Sequence, residues 1–145
     1  MTAVRKSALV PYSAAEMFEL VADIESYPKF LPWCGGARIL AREPAAITAA
    51  VDIAYSGVNK TFTTRNELTP PTHMRLRLLD GPFSRLDGDW RFEPLGVQAS
   101  KISLDLEFEF ANRLLGFALN STFSKIADSM VDSFLRRAIE VYGAR

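Results

Sequence analysis

The chain has 145 residues, 48% of them apolar and 23% charged, and its 17 lysines and arginines are matched by 17 acidic residues. That length makes one domain, residues 1–145, able to bury roughly 68–70% of its unfolded surface, and the charge balance argues against DNA as a partner. A single cysteine, Cys34, rules out an internal disulfide, and with no apolar run near the ~18 residues of a membrane span and no signal-peptide core, a cytoplasmic protein is expected.

Val4 to Val10 reads as a first strand, ended by Pro11. Ser13 then caps a short helix with Glu16 three residues on, a capping box, and Met17, Leu20, Val21 and Ile24 form its apolar side. The stretch SYPKFLPWC, Ser26 to Cys34, carries two prolines and is too apolar for a plain connector, so it is expected to fold down as a lid or plug. From Gly35-Gly36 onward the chain alternates with period two. Ile47 to Tyr55 leads to a turn at Ser56-Gly57. Phe62, Thr64, Asn66 and Leu68 share one face of the next strand, which Pro70-Pro71 ends. Met74, Leu76 and Leu78 precede the turn Asp80-Gly81-Pro82; Leu86, Gly88, Trp90 and Phe92 follow it. The last strand is the most regular, with Ile102, Leu104, Leu106, Phe108 and Phe110 set against Ser103, Asp105, Glu107 and Glu109. Such alternation predicts an antiparallel sheet with one wet and one covered face.

Asn112 to Tyr142 predicts one long helix, with Asn112 as N-cap and Gly143 as the stop. Leu119, Phe123, Ile126, Ala127, Met130, Phe134, Ala138 and Val141 form its apolar stripe. Leu114 and Phe117 lie off that stripe, and Asn120 and Arg137 lie at its edges. The expected architecture is α+β: a curved antiparallel sheet of about seven strands around a long C-terminal helix, with a short helical insertion after the first strand. One helix does not fill the concave face of a curled sheet, so the space between is packed by large side chains or occupied by a ligand.

The motifs SALVPYSAAEMFELVADIESYPKFLPWC, KTFTTRNEL, DGPFSRLDGDWRF and MVDSFLRRAIEVYG make the chain resemble the START-like, helix-grip superfamily with its polyketide cyclase/dehydrase-type members. The resemblance is strongest to the branch joining bacterial ribosome association toxins to mitochondrial coenzyme Q-binding proteins, and it covers nearly the whole chain. It implies the helix-grip fold. For the quinone-binding members it implies carriage of ubiquinone or a polyprenyl lipid in support of respiration. For the toxins it implies binding of the large ribosomal subunit and a block on subunit joining. The cyclase label implies a cofactor-free enzyme.

The residues themselves favour binding over catalysis. His73 is the sole histidine, Cys34 has no partner histidine in its own segment, and no metal-ligand spacing or phosphate loop occurs. No cofactor and no metal are expected. The candidate ligand walls are Phe62, Met74, Leu76, Trp90, Phe92, Leu106 and Phe108 from the strands, with Phe123, Met130 and Phe134 from the helix. Thr64, Asn66, Asn120 and Arg137 are the candidate partners for a head group's oxygens, because polar groups buried dry cost about 1–3 kcal/mol each. The same apolar set also builds an ordinary core. Phe30, Leu31 and Trp33, together with Leu114, Leu115 and Phe117, are the candidate gate through which a hydrophobic molecule enters from a transient membrane contact. For the ribosomal alternative the candidate surface is Arg65, Arg75, Arg77, Arg85 and Arg91 on the outward positions, with Glu67, Asp87 and Asp89 interleaved as salt-bridge partners.

Overall fold

The computed structural model describes residues 2–55 and 57–145. Ser56 of the expected Ser56-Gly57 turn lies outside the described residues. The elements run β1 (Thr2–Val10), α1 (Ala14–Ala22), a 3-10 turn (Ile24–Lys29), β2 (Cys34–Glu43), β3 (Ala46–Tyr55), β4 (Val58–Thr69), β5 (His73–Asp80), β6 (Phe83–Gly96), β7 (Ala99–Phe110) and α2 (Arg113–Tyr142). All seven strands form one antiparallel sheet in the order β1-β7-β6-β5-β4-β3-β2. The meander from β2 to β7 pairs each strand with its predecessor, and β1 closes on β7. The first and last strands are thereby neighbours at one side of the sheet.

Both helices begin where their caps dictate. Ser13 Oγ accepts from Glu16 N at 3.1 Å while Glu16 Oε1 accepts from Ser13 N at 2.9 Å, two orphan donors satisfied reciprocally. Asn112 Oδ1 accepts from Leu115 N at 2.9 Å. Gly143 ends α2 at φ +85°, a conformation that strains any residue with a Cβ, and donates its N–H to Ile139 O. The segment after α1 turns as a 3-10 helix containing Pro28, and then Leu31 and Trp33 are driven into the core.

The helix α2 approaches β1, β7 and α1 most closely. Its buried residues are Phe123, Ile126, Ala127, Val131, Ser133, Phe134 and Ala138. The expected stripe is corrected at its margins: Met130 and Leu119 are half-buried, Val141 is exposed, and Val131 and Ser133 are inside. The physical reason is that α2 leans toward the β1–β7 side of the sheet, which rolls its apolar centre away from Met130. Aromatic edges lock the seat. Phe123 meets Phe83 at 5.0 Å and Phe108 at 4.7 Å, and Phe134 meets Trp90 at 5.3 Å between ring centroids.

A second lock joins the end of α2 to the start of α1. Arg145 places Nη1 and Nη2 at 2.7 and 2.8 Å from the two Glu16 oxygens and lies over the Tyr12 ring. Tyr12 Oη donates to Gly143 O at 2.6 Å, and Tyr142 Oη donates to Glu16 O at 3.0 Å. The Arg145 fork, then the Ser13 amide, hold the Glu16 carboxyl down from an ordinary value near 4.5 to about 2. A carboxyl depressed on folding adds stability that is complete above its unfolded value and lost as pH falls through the folded one. Arg145→Ala should therefore lower the melting temperature by about 1–4 °C at pH 7. That difference should shrink between pH 4.5 and pH 2, as measured by circular dichroism melts across that range.

Candidate functional site

Because α2 leans to one side, a space remains between its inner face and strands β3 to β7. This cavity has a volume of about 80 Å³. From the strands it is lined by Phe62, Thr64, Asn66, Met74, Leu76, Trp90 and Leu106, and from α2 by Phe123 and Met130, all of them expected positions. Sequence reasoning missed the contribution of the 3-10 segment. Ile24 and Tyr27 line the cavity, and so does Trp33, assigned from sequence to a gate. The signal for Trp33 was its apolarity in a proline-rich connector; Ile24 reads as part of the first helix's apolar side. Ala49 and Val51 also line it, their small side chains leaving the space open on the β3 side.

Five expected ligand residues lie elsewhere. Phe92, Phe108 and Phe134 are fully buried in the packed core and do not line the cavity. Asn120 sits on the β1 side of α2, where its Oδ1 accepts from Thr2 Oγ1 at 3.0 Å. Arg137 lies on the other flank of α2, beside Glu140 at 3.5 Å and over the Phe30 ring at 5.1 Å. Both polar residues fall at the stripe's edges, and a helix edge in contact with other elements offers partners without reaching the interior.

The six gate positions do not assemble. Phe30 packs on Phe134, and Leu31 and Trp33 are buried. Leu114 and Phe117 are 78% and 92% exposed at the far end of α2, and Leu115 is half-buried. Phe117 and Phe134 are 17 residues apart, about 25 Å along the helix at 1.5 Å per residue, so the two groups cannot close over one entrance.

The polar content of the cavity is small and specific. Asn66 Nδ2 donates to Ile47 O at 3.1 Å and to Thr64 Oγ1 at 3.2 Å. Tyr27 Oη donates to Val21 O at 2.5 Å, and burial pushes its pKa upward. Trp33 is 6% exposed, and its Nε1–H has no hydrogen-bond acceptor among the described residues. Among the described residues no charged side chain lines the cavity. Nearby, burial pushes the Cys34 thiol up, away from the thiolate a nucleophile requires. Its Sγ lies 3.3 Å from Gly36 O. His73 Nε2 lies on the outer face of the sheet, 2.7 Å from Asp89 Oδ1. Among the described residues no three His, Cys, Asp or Glu side chains converge as a metal site, and no helix is long and apolar enough to cross a membrane.

On the outer face the arginines are paired across strands. Arg75 meets Asp89 at 3.4 Å and Asp87 at 3.6 Å, Arg77 meets Glu67 at 3.1 Å, Arg85 meets Glu107 at 3.3 Å and Arg91 meets Asp105 at 3.1 Å. Arg65 pairs with Glu43. Much of the positive potential expected there is thus cancelled locally.

A seven-stranded antiparallel sheet gripping a C-terminal helix over an apolar cavity is the architecture of the START superfamily. The chain belongs to the family described as polyketide cyclase / dehydrase and lipid transport, whose model matches residues 10–135. It is 49% identical to the ribosome association toxin RatA of Escherichia coli (strain K12), over 100% of this chain and 92% of that protein. It is 27% identical to the mitochondrial coenzyme Q-binding protein COQ10 homolog B of Xenopus laevis, over 95% of this chain and 58% of that protein. The ZhuI aromatase/cyclase of Streptomyces sp. R1128 superposes with a TM-score of 0.83 over 99% of both chains at 19% identity, a likeness of fold alone. The two sequence relatives carry the names of a toxin and a binding protein rather than of enzymes.

Asn66 is the test of the cavity's polar wall. Asn66→Ala removes the donor to Ile47 O and Thr64 Oγ1 in a buried setting and should destabilise the fold by about 1–3 kcal/mol, read by urea unfolding with an unchanged m value.

Proposed function

We propose that this chain is a cytoplasmic, non-catalytic protein that associates with the large ribosomal subunit and hinders subunit joining. The observation that carries this reading is the 49% identity, across the entire chain, to a protein named for ribosome association. The coenzyme Q-binding relative is matched at 27%. Cavity size argues in the same direction. At about 80 Å³ it is smaller than an engineered cavity of about 150 Å³ that admits benzene, and far below the roughly 300–1,000 Å³ of pockets that enclose larger ligands.

The surface that fits RNA best is the first half of α2 rather than the sheet's outer face. From Ala111 to Ala127 the chain contains Arg113 and Lys125 and no carboxylate. Neither cation has an acidic partner within 4 Å among the described residues. Phe117, 92% exposed between them, supplies the flat apolar face on which an unpaired base stacks, while the two cations neutralise phosphates.

The protein should co-sediment with large subunits in sucrose gradients at low salt and leave them as salt rises. Arg113→Glu with Lys125→Glu should weaken binding and flatten the salt dependence by about 1 per lost phosphate contact. Phe117→Asp should weaken binding too while changing unfolding free energy by no more than about 0.5 kcal/mol. Migration at the top of the gradient at every salt concentration would overturn the ribosomal reading. Binding unaffected by these variants would move the interface elsewhere.

A second reading, binding of a hydrophobic small molecule, is favoured by the apolar cavity itself. A whole polyprenyl quinone needs Phe62, Leu76 and Met130, the half-buried members of the wall, to move aside.

A further inference from the structure

Across the outer face of the sheet arginines and carboxylates pair, but the end of β7 and the start of α2 break that pattern. Arg85 stands opposite Glu109 in the β6–β7 register, yet its guanidinium turns to Asp87 and Glu107. Glu109 is left exposed with no cation within 4 Å among the described residues, and Arg113 is exposed with no carboxylate. Both residues border one open groove of about 370 Å³, which Thr2, Gly116 and Asn120 also line. Thr2 Oγ1 donates to Asn120 Oδ1 at 3.0 Å, which fixes the amide and leaves its Nδ2 without an acceptor among the described residues. Along α2, Arg113, Phe117 and Asn120 recur at the four- and three-residue spacings of a single helix face. The exposed ring of Phe117 therefore stands at the rim of the groove.

We infer that this groove is a ribose subsite for one unpaired nucleotide of RNA, whose base stacks on Phe117, whose phosphate meets Arg113 and whose 2′-hydroxyl donates to the Glu109 carboxylate. Each part follows from one property of the site. An exposed ring offers its face to a base that is free of a duplex stack. A carboxylate repels phosphate and accepts only from a donor, so at its end of the groove it selects a hydroxyl and turns the phosphate toward Arg113. Asn120 Nδ2 supplies a donor for the oxygen of that same hydroxyl. The volume of about 370 Å³ falls in the range of roughly 300–1,000 Å³ that holds small-molecule-sized groups. The groove reading rests on the ribosomal reading above and adds a reason for RNA over DNA, which cations and a stacking ring do not give, because the 2′-hydroxyl is what distinguishes the two.

Hexaadenylate RNA and its 2′-fluoro counterpart share base, charge and sugar pucker, and only the first carries the hydroxyl proton. Each is titrated at low salt into nitrogen-15-labelled native protein, Glu109→Ala and Arg113→Gln. In the native protein the backbone amide of Gly116 and the side-chain amide of Asn120 should shift. The hydroxyl form should bind about tenfold tighter, the effect of one hydrogen bond to a charged acceptor. Glu109 is exposed and unpaired, so its truncation leaves the fold intact, and in Glu109→Ala the two affinities should converge. Arg113→Gln should weaken both forms alike and keep their ratio, because phosphate neutralisation is blind to the sugar.

Equal affinity of the two hexamers for the native protein would overturn the ribose subsite and leave the RNA-facing surface standing. A ratio that survives Glu109→Ala would place the selectivity elsewhere and overturn the subsite as well. If neither hexamer binds at low salt the subsite falls, and co-sedimentation of the native protein with large subunits decides separately whether the ribosomal reading falls with it.

Discussion

The structure depends on one geometric constraint: a single helix is laid on a seven-stranded sheet that it is too narrow to cover. An antiparallel sheet of this width twists and curls, and α2 is one cylinder about 10–12 Å across with its side chains. The helix settles where large aromatics gather, with Phe123 among Phe83 and Phe108, and Phe134 against Trp90. Packing there leaves a gap over the inner faces of β3 to β7. The cavity follows from that choice of seat.

The 3-10 segment and the residues after it then act as a plug. Tyr27 and Phe30 stack edge-on against Phe134 at 5.5 and 5.2 Å, and Leu31 and Trp33 turn inward. The plug narrows the trough to a small cavity, with Trp33 in its wall. Arg137, over the Phe30 ring, holds the plug from outside. The same residues therefore close the core and define the cavity's chemistry, which separates this chain from a fold that simply encloses a large ligand.

The two candidate activities use separate parts of the molecule. The inner cavity is apolar and uncharged, whereas the first turns of α2 present cations and an exposed aromatic ring to solvent. Stability comes largely from neither, since the aromatic seat of α2 and the Arg145–Glu16 lock lie elsewhere. The outer sheet face, dense in arginine, is held in cross-strand ion pairs that set register more than they project charge.

Much of the fold was legible in the sequence because its signals are local. Alternation at Ile102 to Phe110, the capping box at Ser13 and Glu16, and Asn112 and Gly143 at the ends of α2 each state a backbone conformation within a few residues of themselves. Most of the cavity wall was legible for the same reason, since period two places Phe62, Thr64, Asn66, Met74, Leu76 and Trp90 on one face. What only the tertiary structure decided is which inward residues border the space and which fill it. Phe92, Phe108 and Phe134 share the pattern of the wall residues yet lie in solid packing, because the side toward which α2 leans is set by contacts between distant segments. Asn120 and Arg137 lie at similar stripe edges in sequence but meet different neighbours, Thr2 and Phe30. Trp33 is the sharpest case: its apolarity was visible, but the inward turn that buries it depends on the bond from Ala54 N to Trp33 O, a long-range contact with no periodic trace in the chain.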